Sequence, residues 1–468
     1  MRVCLIIPPS PFLLDDRVFP SLGVLRVAAT LEARGHDVDV LDLSGPGDVT
    51  GQLVNYMSSH GTYTYGITAT TPQMPSVMKI VADLKFRHPF PYEMKIILGG
   101  PHGTMTYAAG RGKSVRAYTA IRTLEKTFTT IVTGDGEYAI HEAIKDGAPK
   151  WIDADDRKSR LFMTTADVVQ PARHMIDMES YKYQIDGKKS TSIISQLGCP
   201  FSCKFCGGRS SPSLRFIRKR SVASVVKEVR HLYETYGYTG FMFYDDELNV
   251  NKELLQLMNA LSLLQSQLNV EFSFRGFVKA ELFNEEQAEA MYRAGFRWLL
   301  CGFEAADERI LTNIAKRASV DDNARMLETA QEAGIKVKAL MSIGHPGETP
   351  ETIDAIRRWL VAREVDDFDC TIITPYPGTP YHDEAVPHDD GVWCYTAESG
   401  DRQYQLEIDY AVTADYYKGI PGEYRSHVFT DALEPEELVS LRDGLEKDVR
   451  KKLKLPFAYK PLERTMGQ

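Results

Sequence analysis

The sequence contains no long apolar run. No stretch reaches the about 18 consecutive apolar residues that a membrane-spanning helix needs, so we expect no membrane partner. The first apolar run is interrupted by Pro8 and Pro9, which predicts a first strand and not a signal peptide. Internal repeats and low-complexity segments are also missing, which favours an ordinary globular protein.

Cysteines are few, and most of them lie far apart. The 468 residues include 7 cysteines. Outside one cluster they are scattered and predict no disulfide framework: they are Cys4, Cys301, Cys370 and Cys394. We expect these to be packing residues, with Cys394 as the one candidate for another role. A reducing cytoplasm is the expected location.

Positive charge is also in short supply. The formal net charge of −9 argues against a broad phosphate-binding surface, so a nucleic-acid partner is not expected. The hydrophobic content of 43% and the charged content of 25% are typical of globular proteins. The length of 468 residues exceeds what one core accommodates, which predicts two large domains and an appendage.

The first third of the chain alternates strand-like and helix-like segments. Strands separated by helices of this length predict a parallel, doubly wound, Rossmann-like sheet. Ligands of such sheets bind beyond the carboxyl ends of the strands. The predicted strands are Val3–Ile7, Val38–Leu43, Tyr65–Thr70, Lys95–Leu98 and Thr130–Thr133.

A loop with clustered cysteines follows the apolar run 191–197 and precedes a helical pattern from Ser221. Cys199, Cys203 and Cys206 lie close enough in sequence to turn their sulfurs toward one centre. Thiolates hold iron–sulfur clusters, and a fourth ligand is normally needed to saturate a four-iron cluster. The loop therefore predicts a 4Fe–4S cluster with one iron open to another ligand. A structural zinc site is the alternative.

The spacing C-x3-C-x2-C, with Phe205 just before the third cysteine, resembles the radical S-adenosylmethionine (radical SAM) superfamily. In that family the amino and carboxylate groups of SAM chelate the fourth iron. Six strand–helix steps from residue 191 onward suit the family's open, partial (β/α)6 barrel. The predicted strands are Ser192–Leu197, Gly240–Tyr244, Val270–Arg275, Trp298–Phe303, Lys336–Ile343 and Asp367–Thr374.

The resemblance assigns SAM binding to residues at the carboxyl ends of these strands. An acidic lining after the second strand suits the SAM ammonium group, and the G-x-E segment at Glu304 is the family's ribose-binding position. Gly344 opens a turn that matches the family's G-x-P-G-E-T pattern. The predicted SAM-binding residues are Phe205, Asp245, Glu247, Arg275, Glu304, Arg317 and Gly344.

The N-terminal domain is similar to the cobalamin-binding domain that precedes many radical SAM cores. The similarity is carried by the segment 20–36 and by the phrase Leu-Gly-Gly-Pro-His at 98–102. The D-x-H-x-x-G motif of the cobalamin mutases is missing, so His102 is not expected to coordinate cobalt. The implied cobalamin-binding residues are Thr70, Thr71, Gln73, Gly99, Gly100, His102, Gly134 and Glu137. A domain that has lost cobalamin is the alternative.

These patterns predict four regions of an α/β chain. They are an N-terminal cobalamin-binding-like domain (1–147), a linker (148–190), a radical SAM core (191–385) and a small C-terminal extension (386–468) that covers the substrate. The resemblance implies a 4Fe–4S cluster, SAM and cobalamin as cofactors. It also implies a small-molecule substrate and an electron donor such as flavodoxin or ferredoxin.

The implied activity is a cobalamin-dependent radical SAM methylation. Reductive cleavage of SAM would give a 5′-deoxyadenosyl radical that takes hydrogen from an unactivated carbon, and methylcobalamin would then donate the methyl group. Two alternatives stay open. One is radical chemistry without methylation, such as cyclisation, ring contraction or oxidation, and the other is a non-catalytic sensor.

Overall fold

A six-stranded parallel sheet forms the N-terminal domain. The computed structural model describes residues 1–13, 15–416 and 422–457. The sheet contains β1 (Arg2–Ile7), β2 (Asp37–Asp42), β3 (Thr64–Thr68), β4 (Lys95–Gly99), β5 (Thr130–Gly134) and β6 (Trp151–Ala154). Neighbouring strands pair in parallel in the order β2-β1-β3-β4-β5-β6. The strand order reverses between β1 and β3, which is where such sheets bind ligands.

Helices cover both faces of this sheet, as predicted. They are α1 (Leu22–Ala33), α2 (Val49–Ser59), α3 (Met74–Arg87), α4 (Pro101–Arg111), α5 (Ala117–Thr127) and α6 (Gly136–Ala143). Alternate residues of β1 enter opposite cores, because side chains of a strand alternate between faces. Leu5 packs in the core formed with α1 and α6, whereas Ile6 packs in the core formed with α3.

The segment 148–190, predicted as a linker, carries secondary structure of its own. Strand β6 lies within it and extends the first sheet by pairing with β5. A short hairpin strand, β7 (Gln184–Ile185), pairs with the strand that opens the second sheet. The four-residue length of β6 and its mixed polarity gave little sequence signal for a strand.

The second sheet is the predicted open barrel of six parallel strands. Its strands are β8 (Lys188–Ile193), β11 (Gly240–Phe243), β12 (Ser273–Phe277), β13 (Phe296–Glu304), β14 (Lys336–Ile343) and β15 (Asp367–Ile372). They pair in sequential order. Between β8 and β11 lie β9 (Gln196–Leu197) and β10 (Arg218–Lys219), which form a separate antiparallel ribbon.

The helices around this barrel begin and end at residues suited to those positions. They are α7 (Pro212–Arg215), α8 (Val222–Tyr236), α9 (Leu254–Leu268), α10 (Glu285–Ala294), α11 (Glu308–Asn313), α12 (Val320–Glu332) and α13 (Pro350–Ala362). Ser221 caps α8 by accepting the N–H of Ser224, and Gly237 ends it at a φ of 72°. A capping box at Thr349 opens α13.

The C-terminal region forms an antiparallel sheet that the sequence did not predict. After α14 (Pro380–Asp383) come β16 (Val386–Asp389), β17 (Val392–Thr396), β18 (Arg402–Leu406) and β19 (Val428–Thr430). The chain then forms α15 (Pro435–Leu453). Residues 417–421 and 458–468 of this region lie outside the described residues. No helix in the described part of the chain is long and apolar enough to cross a membrane.

Candidate active site

The three clustered cysteines lie on a loop that the β9–β10 ribbon closes at its base, where Leu197 pairs with Arg218. Gly198 enters this loop at a φ of 92°, and a Cβ there would lie 2.1 Å from the carbonyl oxygen of Phe216. Only glycine fits this approach. The carboxylate of Asp246 accepts the N–H of Gly198 at 2.7 Å and so fixes the start of the loop.

The cysteine thiols are near enough for the charge of one to act on the pKa of the next. Cys199 and Cys203 are half-buried, and Cys206 is exposed. Burial raises the pKa of the Cys199 thiol to about 12, and the charge of Cys206 raises it further. No group of three or more His, Cys, Asp or Glu side chains in the described residues converges on a single ion. A cluster that takes one thiolate per iron does not need its ligands to meet at one atom, so this donor set suits a cluster.

Of the acidic residues after β11, Asp245 has a structural role. It is 1% exposed, and its carboxylate accepts the N–H groups of Ser195 at 2.7 Å and Gln196 at 3.0 Å. Burial raises the pKa of Asp245 to about 7. These bonds fix the turn between β8 and β9 and leave Asp245 little capacity for the predicted contact with SAM.

Glu247 is available for a ligand. Its Oε2 atom is buried and has no hydrogen-bond partner among the described residues. Burial raises the pKa of Glu247 to about 7, and the charges of Lys316 and Lys279 oppose this rise. A buried carboxylate oxygen without a partner is costly unless a ligand satisfies it, so Glu247 fits the predicted role of binding the SAM ammonium group.

Glu304 lies at the centre of a hydrogen-bonded network at the end of β13. Its φ of 64° and a register shift between Gly302 and Glu304 aim its side chain at the neighbouring strand. One carboxylate oxygen accepts Lys316 Nζ at 3.1 Å and the other accepts Ser342 Oγ at 2.7 Å. Burial opposes protonation of Lys316, but the Glu304 carboxylate holds the pKa of Lys316 above its usual value.

Two further groups continue this network toward the C-terminal region. His345 is fully buried, and burial lowers its pKa to about 4, so the imidazole is neutral. Its Nε2 lies 2.8 Å from Ser342 Oγ and its Nδ1 lies 3.1 Å from the Tyr381 hydroxyl. Since Ser342 donates to Glu304, the network assigns the proton to Nε2 and makes Nδ1 the acceptor from Tyr381. The ring of Phe205 lies edge-on to His345 at 5.5 Å.

The remaining predicted SAM-binding residues lie outside this network. Arg275 donates to the Tyr183 hydroxyl at 2.6 Å from within β12, which runs on to Phe277. Arg317 is exposed. The backbone of Gly344 is enclosed by the side chains of Glu348 and Gln403, each within hydrogen-bonding distance. SAM binding by these three residues stays a prediction.

A cavity of about 500 Å³ lies beyond the carboxyl edge of the first sheet. Its walls come from the strands β1, β3, β4 and β5 and from one side of α1 and α6, and they are mainly apolar. Leu197 and Leu214, which flank the cysteine loop, close the cavity from the barrel side. The volume falls within the range of about 300–1,000 Å³ that is typical of cofactor sites.

Most of the predicted cobalamin-binding residues line this cavity. They are Thr70, Gln73, Gly99, Gly100, Gly134 and Glu137. Thr71 and His102 do not line it: their side chains hydrogen-bond to each other at 3.1 Å, and both are buried. Burial lowers the pKa of His102 to about 4. The ring is therefore neutral and directed at a protein partner.

The lining glycines differ in what they do. A Cβ at Gly100 would lie 2.9 Å from the backbone nitrogen of Ala69, and a Cβ at Gly134 would lie 2.5 Å from the backbone of Ala154. Both residues also have positive φ, so their own backbone requires glycine. A Cβ at Gly99 would meet no atom within 4 Å. Gly99 thus leaves open space for a flat ligand, as expected for a corrin cradle.

Several site residues were missed from the sequence. Glu137 forms an ion pair with Arg26 at 3.0 Å, and both are buried. In the sequence, Glu137 lies in a polar segment after a predicted strand, whereas Arg26 lies between two predicted strands and was not singled out. Lys279 donates to the carbonyl oxygen of Lys316 at 3.0 Å. Lys316 was not missed: together with Arg317 it was a candidate from the sequence for binding the methionine carboxylate, and the structure buries Lys316 and exposes Arg317.

Two family models match the chain in the order that the two sheets predict. The B12 binding domain matches residues 16–139, and the radical SAM superfamily matches residues 193–360. Together the matches cover more than half of the 468 residues. The fold and the cysteine loop therefore define a radical SAM protein. More narrowly, the chain belongs to the radical SAM proteins that carry a B12-binding domain.

Similar proteins span much of both domains. The uncharacterized methyltransferase PH0819 of Pyrococcus horikoshii is 27% identical over 410 residues, covering 82% of this chain and 83% of that protein. The anaerobic magnesium-protoporphyrin IX monomethyl ester cyclase of Cereibacter sphaeroides is 24% identical over 337 residues, covering 68% of this chain. This chain matches only 53% of that cyclase.

The solved structures of one methyltransferase share the fold. The radical SAM methyltransferase TsrM from Kitasatospora setae, with cobalamin and a [4Fe-4S] cluster bound, has a TM-score of 0.65 at 18% identity, covering 90% of this chain and 82% of TsrM. TsrM with tryptophan substrate and a SAM analogue has a TM-score of 0.63 at 18% identity, covering 85% of this chain and 79% of TsrM.

Proposed function

We propose that this chain is a cobalamin-dependent radical SAM methyltransferase that methylates carbon in a small molecule. One observation supports this most directly. The cavity at the edge of the B12-binding sheet is closed by Leu197 and Leu214, and the carbonyl oxygen of Leu214 accepts the N–H of Cys199 at 3.0 Å. A cobalamin in the cavity and a cluster on the loop would therefore share one wall.

Each part of the chain contributes to holding and orienting these groups. When bound, the cluster and SAM supply a carbon radical, and methylcobalamin supplies the methyl group. Cys199, Cys203 and Cys206 would hold the cluster. Glu247 would accept hydrogen bonds from the SAM ammonium group, and Glu304, held in place by Lys316 and Ser342, would accept those from the ribose.

The nature of the relatives supports methyl transfer. PH0819, a methyltransferase by name, matches this chain over more than four fifths of both proteins. The second candidate, radical chemistry without methylation, is favoured by the similarity to the cyclase of Cereibacter sphaeroides. A non-catalytic sensor would not need the buried Glu304 network.

The partners and the location are proposed on weaker grounds. An electron donor such as flavodoxin or ferredoxin and a cytoplasmic location remain predictions. The tryptophan substrate of TsrM supports a small-molecule substrate.

The proposal can be tested before the substrate is known. Protein reconstituted anaerobically with iron, sulfide and hydroxocobalamin is incubated with a reductant and SAM that carries an isotope-labelled methyl group. We expect 5′-deoxyadenosine, labelled methylcobalamin and S-adenosylhomocysteine, because the cobalamin methyl group must come from SAM. 5′-Deoxyadenosine without labelled methylcobalamin would favour the second candidate. If neither of these products forms, the proposal that the chain is an enzyme is refuted.

A triple variant in which Cys199, Cys203 and Cys206 are changed to alanine is the matched control. It should lose its iron and all 5′-deoxyadenosine formation, because thiolates are the cluster ligands. It should still bind hydroxocobalamin, since the cavity lies on the first sheet. A triple variant that retains about four irons per chain would show that other residues hold the cluster.

A further inference from the structure

A groove with three arginines lies on the outer side of the cysteine loop. Its volume is about 640 Å³, and its walls include Arg157, Arg209 and Arg215. Its floor is apolar and contains Pro200, Phe216 and Ile217. We name this feature the arginine groove. It is separate from the cavity beyond the first sheet, with which it shares no lining residue.

The arginine groove is in direct contact with the cysteine loop. Pro200, in the floor of the groove, is bonded to Cys199, so the groove includes the residue next to a cluster ligand. Arg215 donates to the carbonyl oxygens of Pro200 at 2.7 Å and Phe201 at 2.9 Å. Arg209 donates to the carbonyl oxygen of Ser202. A protein docked in the groove would be within one residue of the cluster.

The charge of the groove is not neutralised by an ion pair within the described residues. No carboxylate in the described residues forms an ion pair with Arg157, Arg209 or Arg215. Nearby Asp155 is buried and already bonded to Arg111 and to Ser213. This local positive charge contrasts with the formal net charge of the whole chain, which is −9. A cationic surface on an anionic protein attracts acidic partners to one location.

Arg157 is the most accessible of the three. It is exposed, and its guanidinium carbon lies 4.5 Å from the centroid of the Phe216 ring. Arginine and aromatic residues are enriched at protein–protein interfaces. The groove thus combines the charge that steers an acidic protein with an apolar floor that a small anion would not need.

We propose that the arginine groove is the docking surface for an acidic one-electron donor protein of the flavodoxin or ferredoxin class. This inference rests on the proposed function, because it assumes a cluster on the loop. One electron leaves the reduced donor and is gained by the oxidised cluster, and no bond forms or breaks. Electron-transfer complexes are among the smaller and weaker protein interfaces, which suits an open groove of this size.

The test measures binding directly, with flavodoxin as the probe. Oxidised flavodoxin is titrated into the anaerobically reconstituted protein, and Kd is followed by fluorescence anisotropy at low and high salt. Arg157→Glu should raise Kd about fivefold at low salt, because it reverses one exposed interfacial charge. Lys79→Glu is the matched control: Lys79 is exposed on α3, and the same change of charge there should leave Kd unchanged.

A second readout separates docking from the state of the cluster. Flavodoxin hydroquinone should reduce the cluster of Arg157→Glu more slowly than that of the wild type, whereas titanium(III) citrate, which needs no docking, should reduce both equally. Unchanged Kd and flavodoxin rate in Arg157→Glu would overturn the proposal. Two other results would also overturn the proposal. One is an equal effect of Lys79→Glu on Kd, and the other is displacement of flavodoxin by millimolar inorganic phosphate, which would indicate a small-anion site.

The two proposals fail in different ways. If titanium(III) citrate yields 5′-deoxyadenosine from SAM while the wild type binds neither flavodoxin nor ferredoxin, only the docking proposal is overturned. If no reductant yields 5′-deoxyadenosine, the proposed function is overturned and the docking proposal falls with it. Slower reduction of Arg157→Glu by both reductants would mean that the substitution damages the loop, and would also count against docking.

Discussion

Replacing Gly99 by leucine should weaken cobalamin binding without unfolding the domain. Gly99 ends β4 and lies on the same face of the strand as Ile97, which also lines the cavity. A Cβ at this position meets no atom within 4 Å, so the longer side chain extends into the cavity. The substitution therefore fills the space in which the corrin would lie.

The expected magnitudes follow from this geometry. Because the backbone of Gly99 is not in the left-handed region and no atom is displaced, the free energy of unfolding should change by less than about 1 kcal/mol. Overpacking a well-fitted site costs about 1–3 kcal/mol. That cost corresponds to an affinity for cobalamin that is about 5 to 150 times weaker.

Desalting after incubation with hydroxocobalamin provides the assay. The absorbance of the retained corrin is measured per chain, alongside iron content and urea unfolding. Gly61→Leu is the matched control, because Gly61 is exposed in the loop before β3, and a Cβ there also meets no atom within 4 Å. Gly61→Leu should retain cobalamin like the wild type.

Normal retention of cobalamin by Gly99→Leu, with normal unfolding, would refute the assignment of the corrin to this cavity. Gly100→Leu would be a poorer test. Gly100 has a φ of 91°, and its Cβ would lie 2.9 Å from the backbone of Ala69. Loss of cobalamin in that variant could follow from a displaced loop.

Three further substitutions test the barrel. Lys316→Met should abolish measurable SAM binding in equilibrium dialysis, because Lys316 is buried and holds the Glu304 carboxylate through an ion pair of 3.1 Å. Burial raises the pKa of Glu348 from its usual 4.5 to about 8, so the folded chain keeps a proton that the unfolded chain releases. The free energy of unfolding should therefore fall by up to about 1.4 kcal/mol per pH unit between these values, and Glu348→Gln should flatten this slope in urea titrations. Cys301→Ala, at a fully buried packing site, should cost about 1 kcal/mol of stability and leave the iron content unchanged.

The fold could be predicted because its periodicity is regular. Strand β14 was predicted with its observed bounds, since Lys336–Ile343 is a continuous apolar-rich run between a Gly-ended helix and a Gly-containing turn. The first barrel strand was misplaced: Ser192–Leu197 was predicted, but β8 ends at Ile193 and the chain bends before β9. That bend is fixed by Asp245, which lies about 50 residues away, and a local pattern cannot reveal such a contact.

The site was predictable in part for the same reason. Residues at strand ends could be identified, and six of the eight predicted cobalamin-binding residues line the cavity. What the sequence could not supply was the direction of each side chain. Asp245 and Glu247 looked alike, yet one accepts backbone N–H groups and the other has a buried oxygen without a partner among the described residues. The scattered Cys394 proved to be a buried residue of β17.

The C-terminal sheet links the N-terminal domain to the predicted SAM site. Arg116, which precedes α5, donates to Gln405 on β18 at 2.6 Å, and Gln405 donates to the carbonyl oxygen of Tyr381 at 2.7 Å. The Tyr381 hydroxyl donates to His345, whose network ends at Glu304. Because the bonds of this series from Arg116 to His345 are buried, the loss of one leaves a polar group unsatisfied. The C-terminal region therefore helps to orient the Glu304 carboxylate.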